Sequence, residues 1–164
     1  MIILGIDPGI AIVGYGILKV QGSSHRALSY GIIETHKDET LPDRLGQIYE
    51  GMTTLIDRYR PDEVAMEELF FNKNAKTAIM VGQARGVEVL AAVHKGLKVY
   101  EYTPLQAKQA VVGYGRAEKR QVQENVKVLL SLKEIPRPDD AADALAIALC
   151  HAFSLRFKDQ FLMR

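Results

Sequence analysis

The sequence predicts an α/β fold in which a mixed five-stranded sheet is flanked by helices. Short apolar runs of strand length fill the first third of the chain, and the remainder alternates such runs with longer segments of helical periodicity. Strands that come first, followed by helices that cross over, are typical of a sheet with both antiparallel and parallel pairs. A length of 164 residues suits one domain with its own core.

Five segments are predicted to form the strands. The first is apolar until it ends at Asp7, as expected of a strand buried on both faces. Gly22 and the two serines after it connect the next two strands as a hairpin, so the first three strands should be antiparallel. The fourth strand follows a helical crossover and is expected to run parallel to the first. The predicted strands are residues 2–7, 13–20, 28–35, 63–67 and 97–102.

Helical periodicity predicts five helices. In the first, Leu45, Ile48 and Tyr59 belong to an apolar stripe with three- and four-residue spacing that faces a core. Pro104 suits the first turn of a later helix. The predicted helices are residues 45–59, 75–94, 104–112, 118–132 and 139–157.

Composition excludes several classes of protein. Hydrophobic residues make up 48% and charged residues 25%, which is typical of globular rather than disordered or fibrous proteins. No apolar stretch reaches the roughly 20 residues that cross a bilayer, and the first residues do not resemble a signal peptide. The single cysteine, Cys150, cannot form an internal disulfide, which indicates a reducing cytoplasm. We expect a cytoplasmic protein with one domain at residues 1–157 and a loosely ordered C-terminal tail at 158–164.

Four carboxylates occupy positions that packing alone explains poorly. Asp7 ends the first strand and Glu67 ends the fourth, so parallel neighbouring strands would bring both acids to one edge of the sheet. Asp140 and Asp143 are three residues apart near the start of the last helix and therefore share a face. Gathered carboxylates repel one another unless a cation neutralises them, and Mg²⁺ prefers carboxylate oxygens. The pattern predicts a divalent-cation site and phosphoryl chemistry.

Each acid also has an ordinary explanation. Asp7 could be a turn residue before a Pro-Gly pair, and Glu67 could be a surface acid at a strand end. Asp140 is favourable in a first helical turn through capping and the helix dipole. Asp143 is explained least well in this way, because it lies beyond the cap among residues that should pack.

Charge is distributed unevenly along the chain. The net charge is +1, yet residues 73–133 hold eleven Lys and Arg against four Glu, and the remainder holds ten basic against sixteen acidic residues. This asymmetry predicts a basic face for a polyanion beside an acidic pocket. The alternative is a set of solvated helix faces that happen to be rich in lysine.

Short motifs run in order along nearly the whole chain, from Gly-Ile-Asp-Pro-Gly at the first strand end to Asp-Ala-Ala-Asp-Ala-Leu-Ala in the last helix. They resemble the RuvC family, the Holliday junction resolvases (crossover junction endodeoxyribonucleases) of bacteria. The resemblance implies a ribonuclease H-like fold and a homodimer that nicks a four-way DNA junction symmetrically in recombination and DNA repair. The motifs are residues 3–9, 14–16, 65–70, 82–86, 108–113, 117–119 and 140–148.

The resemblance also implies roles for the acids. Asp7, Glu67, Asp140 and Asp143 would be the catalytic residues, and they would hold two Mg²⁺ ions per active site, with Mn²⁺ as the alternative ion. In such sites the two metals activate a water molecule and stabilise the leaving oxygen of a phosphodiester.

DNA-binding residues follow from the same resemblance. Lys108 and Lys119 match lysines near the scissile phosphate, although each could be an ordinary surface lysine. Phe70 matches an aromatic residue that stacks on an unpaired base, with Phe71 as the alternative stacking residue. The full predicted set is Phe70, Asn72, Lys73, Arg85, Lys108, Arg116, Lys119 and Arg120.

Two kinds of protein partner are expected. The helix at residues 75–94 has a small and apolar face and is therefore the predicted dimer seam. A two-fold dimer would present two identical sites to a nearly two-fold junction. The resemblance further implies contact with a branch-migration complex of the RuvA and RuvB type. No membrane partner is expected.

Three rival interpretations share some of these features. The sugar-kinase and actin superfamily begins with a similar Gly-Ile-Asp-x-Gly loop, but it clamps ATP between two domains and 164 residues leave no room for the second. A ribonuclease H-like relative could cut RNA in a hybrid or an rRNA precursor, although the lysine motifs and the Asp-Ala-Ala-Asp ending favour the junction. A non-catalytic junction-binding module would require a broken set of acids, and all four are present.

Overall fold

The computed structural model describes residues 1–69 and 75–164, and the side chains of these except residues 75 and 76. The predicted mixed five-stranded sheet is confirmed, with strand order β3-β2-β1-β4-β5. Helices cover both faces of the sheet. The strands are β1 (Ile2–Asp7), β2 (Ile12–Gln21), β3 (Ser24–Glu34), β4 (Glu63–Glu67) and β5 (Lys98–Tyr102).

Strand pairing brings two of the predicted acids together. β1 pairs antiparallel with β2 and parallel with β4, and β2 pairs antiparallel with β3, as predicted. Ile6 pairs with Met66, so the residues that follow them, Asp7 and Glu67, lie side by side at one edge of the sheet. Asp7 also pairs with Gly14 of β2.

The helices are close to their predicted positions. Thr40 caps the first helix, which begins four residues before the predicted stripe, and Thr103 forms a capping box with Gln106 before the helix that Pro104 opens. Within the described residues, no helix combines the length and apolar composition that a membrane span requires. The helices are α1 (Leu41–Tyr59), α2 (Ala75–His94), α3 (Pro104–Val112), α4 (Lys119–Leu129) and α5 (Asp139–Ser154), followed by a 3-10 helix (Leu155–Phe161).

Two hydrophobic cores lie on opposite faces of the sheet. α3, α4 and α5 pack on one face, where Ile3 contributes to the core, and α1 and α2 pack on the other, where Leu4 contributes. Alternate residues of a strand point to opposite faces, so Asp7 shares the face of Ile3. The acid at the end of β1 therefore lies on the side covered by α5.

α5 approaches the sheet closely at glycine positions. A Cβ atom on Gly5 would lie 2.2 Å from the carbonyl oxygen of Ala144, and one on Gly14 would lie 2.1 Å from that of Asp140. Only glycine allows the helix backbone this near to the strands. As a result, the first two turns of α5 rest against β1 and β2.

Residues 158–164 differ from the expected loose tail. The ring of Phe161 packs on that of Tyr102, with centroids 4.7 Å apart. The ammonium group of Lys158 donates to the carboxylate of Glu63. Because an apolar ring and a charged group both find partners on β4 and β5, the segment is packed against the sheet rather than loosely held.

Candidate active site

Four carboxylates from three elements converge at one end of the sheet. Asp7 and Glu67 end the adjacent parallel strands β1 and β4. Asp140 and Asp143 belong to the first turns of α5, and the carbonyl group of Asp140 rests against Gly14, the strand partner of Asp7. The charges of the other three acids all act on Asp7. The structure thus brings together the complete set of acids that the sequence predicts for the site.

Burial and mutual repulsion change the ionisation of this cluster. Desolvation, followed by the charges of Glu67, Asp143 and Asp140, raises the pKa of Asp7 to about 8. Desolvation likewise raises the pKa of Glu67 and that of Asp143. Asp7 and Glu67 are within hydrogen-bonding reach of each other. At neutral pH the pair therefore retains a proton that isolated carboxyl groups would lose.

Two lysines face the acids. The Nζ atom of Lys119 lies 3.0 Å from the carboxylate of Asp143. Burial lowers the pKa of Lys119, but its hydrogen bond and charge pairing with Asp143 outweigh burial, and the pKa is raised overall. The charge of Lys108 partly offsets the rise in the pKa of Glu67. Both lysines line a cavity of about 140 Å³ together with Glu67 and Asp143.

The donor set suits a hard divalent cation. Carboxylates offer only oxygen ligands, which Mg²⁺ and Mn²⁺ prefer, and the raised pKa values reflect a repulsion that a cation would relieve. In the part of the chain that the structure describes, no group of three or more His, Cys, Asp or Glu side chains already stands in position to hold a metal ion. Asp7 instead lies within reach of Glu67, and Asp143 pairs with Lys119. Metal binding would require the retained carboxyl proton to leave.

Two predicted DNA-binding residues, one on α4 and one just before it, lie at the surface. Arg116 is exposed in the segment between α3 and α4. Arg120 is 82% exposed and pairs with Glu124, one turn further along α4, at 3.0 Å. Phe70, Asn72 and Lys73 lie outside the described residues.

Arg85 does not fit the predicted DNA surface. Its guanidinium group forms a close ion pair with Glu101, and its side chain is only 20% exposed. A guanidinium group that is mostly buried and already neutralised has little charge to offer a phosphate. The structure therefore places Arg85 in an internal contact between α2 and β5.

Sequence reasoning missed a second acid on β4 that helps to position the site. Glu63 accepts hydrogen bonds from the Tyr100 hydroxyl group at 3.1 Å and from Nε2 of His151 at 2.9 Å. His151 belongs to α5, so this buried network fixes the far end of α5 to the strand that carries Glu67. The available signal was the spacing of Glu63 and Glu67, which puts both acids on the face that α5 covers.

Comparison with known proteins identifies the family of the chain. The family model for crossover junction endodeoxyribonuclease RuvC matches residues 3–151. A protein of that name from Finegoldia magna is 63% identical over 158 residues, which is 96% of each chain. Its counterpart from Alkaliphilus metalliredigens is 57% identical over 164 residues and covers both chains completely.

Solved structures show the same fold. Thermus thermophilus RuvC in complex with a Holliday junction substrate is 39% identical and superposes with a TM-score of 0.91, covering 99% of this chain and 100% of that one. The yeast mitochondrial Holliday junction resolvase Ydc2, at 14% identity and a TM-score of 0.68, shares the fold over 96% of this chain and 82% of its own. These matches confirm the ribonuclease H-like fold that the sequence motifs implied. The chain belongs to the RuvC family of crossover junction endodeoxyribonucleases.

Proposed function

We propose that this chain is a structure-selective endodeoxyribonuclease that resolves Holliday junctions by symmetric paired nicks, in recombination and DNA repair. The observation that carries the proposal is the convergence of Asp7, Glu67, Asp140 and Asp143 beside two lysines in a member of the RuvC family. The Thermus thermophilus relative was solved with a Holliday junction substrate, which supports the four-way junction as the DNA that this chain cuts.

The four carboxylates would hold two Mg²⁺ ions, or Mn²⁺ in their place. When bound, such ions lower the pKa of water and stabilise negative charge on a phosphate. Asp7 releases its proton as positive charge approaches, because a nearby cation favours the ionised carboxylate. Asp140 and Asp143 are held in place by the close contact of α5 with Gly14 and Gly5. The negative charge of this carboxylate cluster is therefore neutralised only when cations bind.

Lys108 and Lys119 position the scissile phosphate. Both line the same cavity as Glu67 and Asp143, so a phosphate there would meet positive charge on one side and the carboxylates on the other. Fixed cations next to a reacting phosphate stabilise the charge that develops in the transition state. Lys119 now pairs with Asp143 at 3.0 Å, and a phosphate would compete for this ammonium group.

Paired nicks require two copies of the site, and α2 offers a face for a second copy of the chain. Ile79, Leu90 and Val93 are 64%, 46% and 55% exposed. Gly82 and Gly86 lie between them, and a Cβ atom added at either would meet nothing within 4 Å. These positions follow three- and four-residue spacing and form one apolar stripe. An isologous pairing through this stripe would produce a two-fold dimer with two sites.

The direct experiment is a cleavage assay on a synthetic four-way junction beside linear duplex and RNA/DNA hybrid, with Mg²⁺, with Mn²⁺ and with chelator. We expect paired nicks in two junction strands of like polarity when metal is present and no cutting with chelator. Efficient cutting of the hybrid without cutting of the junction would contradict the proposal. Contact with a branch-migration complex of the RuvA and RuvB type stays a prediction.

A further inference from the structure

A second and larger depression lies next to the active site, between the edge strand β3 and the connection from α4 to α5. We call it the edge groove. Its volume is about 540 Å³, compared with about 140 Å³ for the cavity at the acids. The lining residues are Tyr30, Lys127, Glu134, Ile135 and Arg137. None of them takes part in the chemistry proposed above.

Both walls of the edge groove are close to the acids, one through strand pairing and the other through its position in the sequence. Tyr30 pairs with Gly16 of β2, and Gly16 is two residues from Gly14, which contacts Asp140. Neighbouring strands are about 4.8 Å apart and successive strand residues about 3.3 Å apart, so one strand and two residues separate Tyr30 from the edge of the site. On the other wall, Arg137 precedes Asp140 by three residues. A bound strand could therefore pass from the acids into the groove without leaving the protein surface.

Two cations in the groove have no competing partner. Within the described part of the chain, the side chains of Lys127 and Arg137 make no hydrogen bond or ion pair, whereas Arg120 is held by Glu124. Free ammonium and guanidinium groups suit phosphate oxygens, and tyrosine hydroxyl groups commonly contact the DNA backbone. Tyr30 is 37% exposed.

Glu134 contributes the single negative charge among the lining residues, so positive charge prevails in the groove. A docked protein segment would be expected to bury a largely apolar patch with few charges at its centre. The edge groove instead has two free cations, one hydroxyl group and one apolar side chain, Ile135. This chemistry suits the phosphate backbone of a nucleic acid.

We propose that the edge groove binds the phosphate backbone of the junction arm that leads away from the scissile phosphate. The proposal rests on the proposed function and adds a second contact region to it. Lys119 at the acids and Lys127 at the groove are eight residues apart on α4, or about 12 Å along the helix axis. Phosphates of one strand follow at about 3.4 Å of duplex axis, so the two lysines are spaced for phosphates roughly three to four nucleotides apart.

The test is the salt dependence of junction binding, measured in chelator so that no cutting occurs. Log K falls as log salt concentration rises, and each lost phosphate contact should make this negative slope less steep by about 1. We expect this change for Lys127→Ala and for Arg137→Ala, and about twice this change for the double variant. Glu134→Gln should act in the opposite direction and tighten binding, because it removes a negative charge that faces the phosphates.

The control is Lys98→Ala, which removes the same charge at the start of β5, at the opposite end of the strands from the acids. It should keep the wild-type slope. If the wild type binds and nicks junctions but the double variant keeps the wild-type slope, the edge groove proposal is wrong and the proposed function stands. An equal loss in Lys98→Ala, or weaker binding of Glu134→Gln, would also overturn it. A wild type that neither binds nor nicks junctions would overturn both.

Discussion

The carbonyl oxygen of Asp140 lies 2.1 Å from the point that a Cβ atom on Gly14 would occupy. Gly14 is also the β2 partner of Asp7. The contact therefore joins the helix that carries Asp140 and Asp143 to the strand pair that presents Asp7. Together with the close contact of Gly5 with Ala144, it holds the two helix acids beside the two strand acids.

Gly14→Ala should abolish junction nicking, because the added methyl group would force the first turn of α5 away from β2. Overpacking of this kind costs about 1–3 kcal/mol in the free energy of unfolding. Cleavage assays and urea unfolding of the same preparations measure both effects. Gly46→Ala in α1 is the matched control, since nothing lies within 4 Å of the added methyl group. It should keep full activity, and normal nicking by Gly14→Ala would show that the close contact is dispensable.

Asp7→Asn should lose nicking by at least about 10²-fold, since metal assistance is worth several kcal/mol and each 1.36 kcal/mol is tenfold in rate. Junction binding should persist, because the amide removes a negative charge that repels phosphate. Single-turnover cleavage and a gel-shift assay in chelator separate the two effects. Asp38→Asn, at an exposed position in a loop, is the control. A variant at position 7 that still nicks at the wild-type rate would remove Asp7 from the site.

Glu88 in α2 should make stability fall with rising pH. Its side chain is fully buried, and within the described residues its carboxylate makes no hydrogen bond of normal geometry. Burial raises its pKa from 4.5 to about 8, with only partial relief from the Gly9 backbone and the charge of Arg85. The folded protein thus holds a proton that the unfolded chain releases, and stability is lost as pH rises across this window.

Glu88→Gln tests this linkage, because the amide stays neutral at every pH. Its unfolding free energy relative to the wild type should increase between about pH 4.5 and pH 8 and level off above that range. Urea unfolding at a series of pH values, in chelator, provides the comparison. The same substitution at Glu50, on the exposed side of α1, is the control. A difference that stays constant across the pH series would mean that Glu88 has the same pKa in the folded and the unfolded protein.

Phe161→Ala should destabilise the protein by about 1–3 kcal/mol, less than a fully buried phenylalanine would, because its ring is half-buried against Tyr102. Phe157→Ala is a closely matched control, since that ring is 56% exposed in the same segment. Chemical unfolding measures both variants. Equal and small effects would restore the view of residues 158–164 as a loose tail.

Leu90→Asp should convert a dimer into monomers, because it places a charge in the apolar stripe of α2. Val128→Asp introduces the same charge at a position on α4 that is 72% exposed and should leave the assembly unchanged. Sedimentation velocity over a range of protein concentrations distinguishes these outcomes. A wild type that is monomeric at the concentrations of the cleavage assay would exclude a stable dimer through α2.

Local patterns predicted much of the site. Asp7 and Glu67 end apolar runs, which depends only on strand periodicity, and the spacing of Asp140 and Asp143 depends only on helical repeat. The parallel relation of β1 and β4 followed from the handed crossover between them. These features require no knowledge of how distant side chains pack.

Tertiary contacts decided the rest. Arg85 belongs to the basic stretch by sequence, but its guanidinium group meets Glu101 because α2 packs beside β5. Residues 158–164 pack on the sheet because Glu63 and Tyr102 present partners from far away in the chain. The sequence alone thus determined which acids could form a site and on which elements they lie. Whether they meet was decided by the close contacts of Gly14 and Gly5 with α5, because a contact between segments that are distant in the chain leaves no periodic signal.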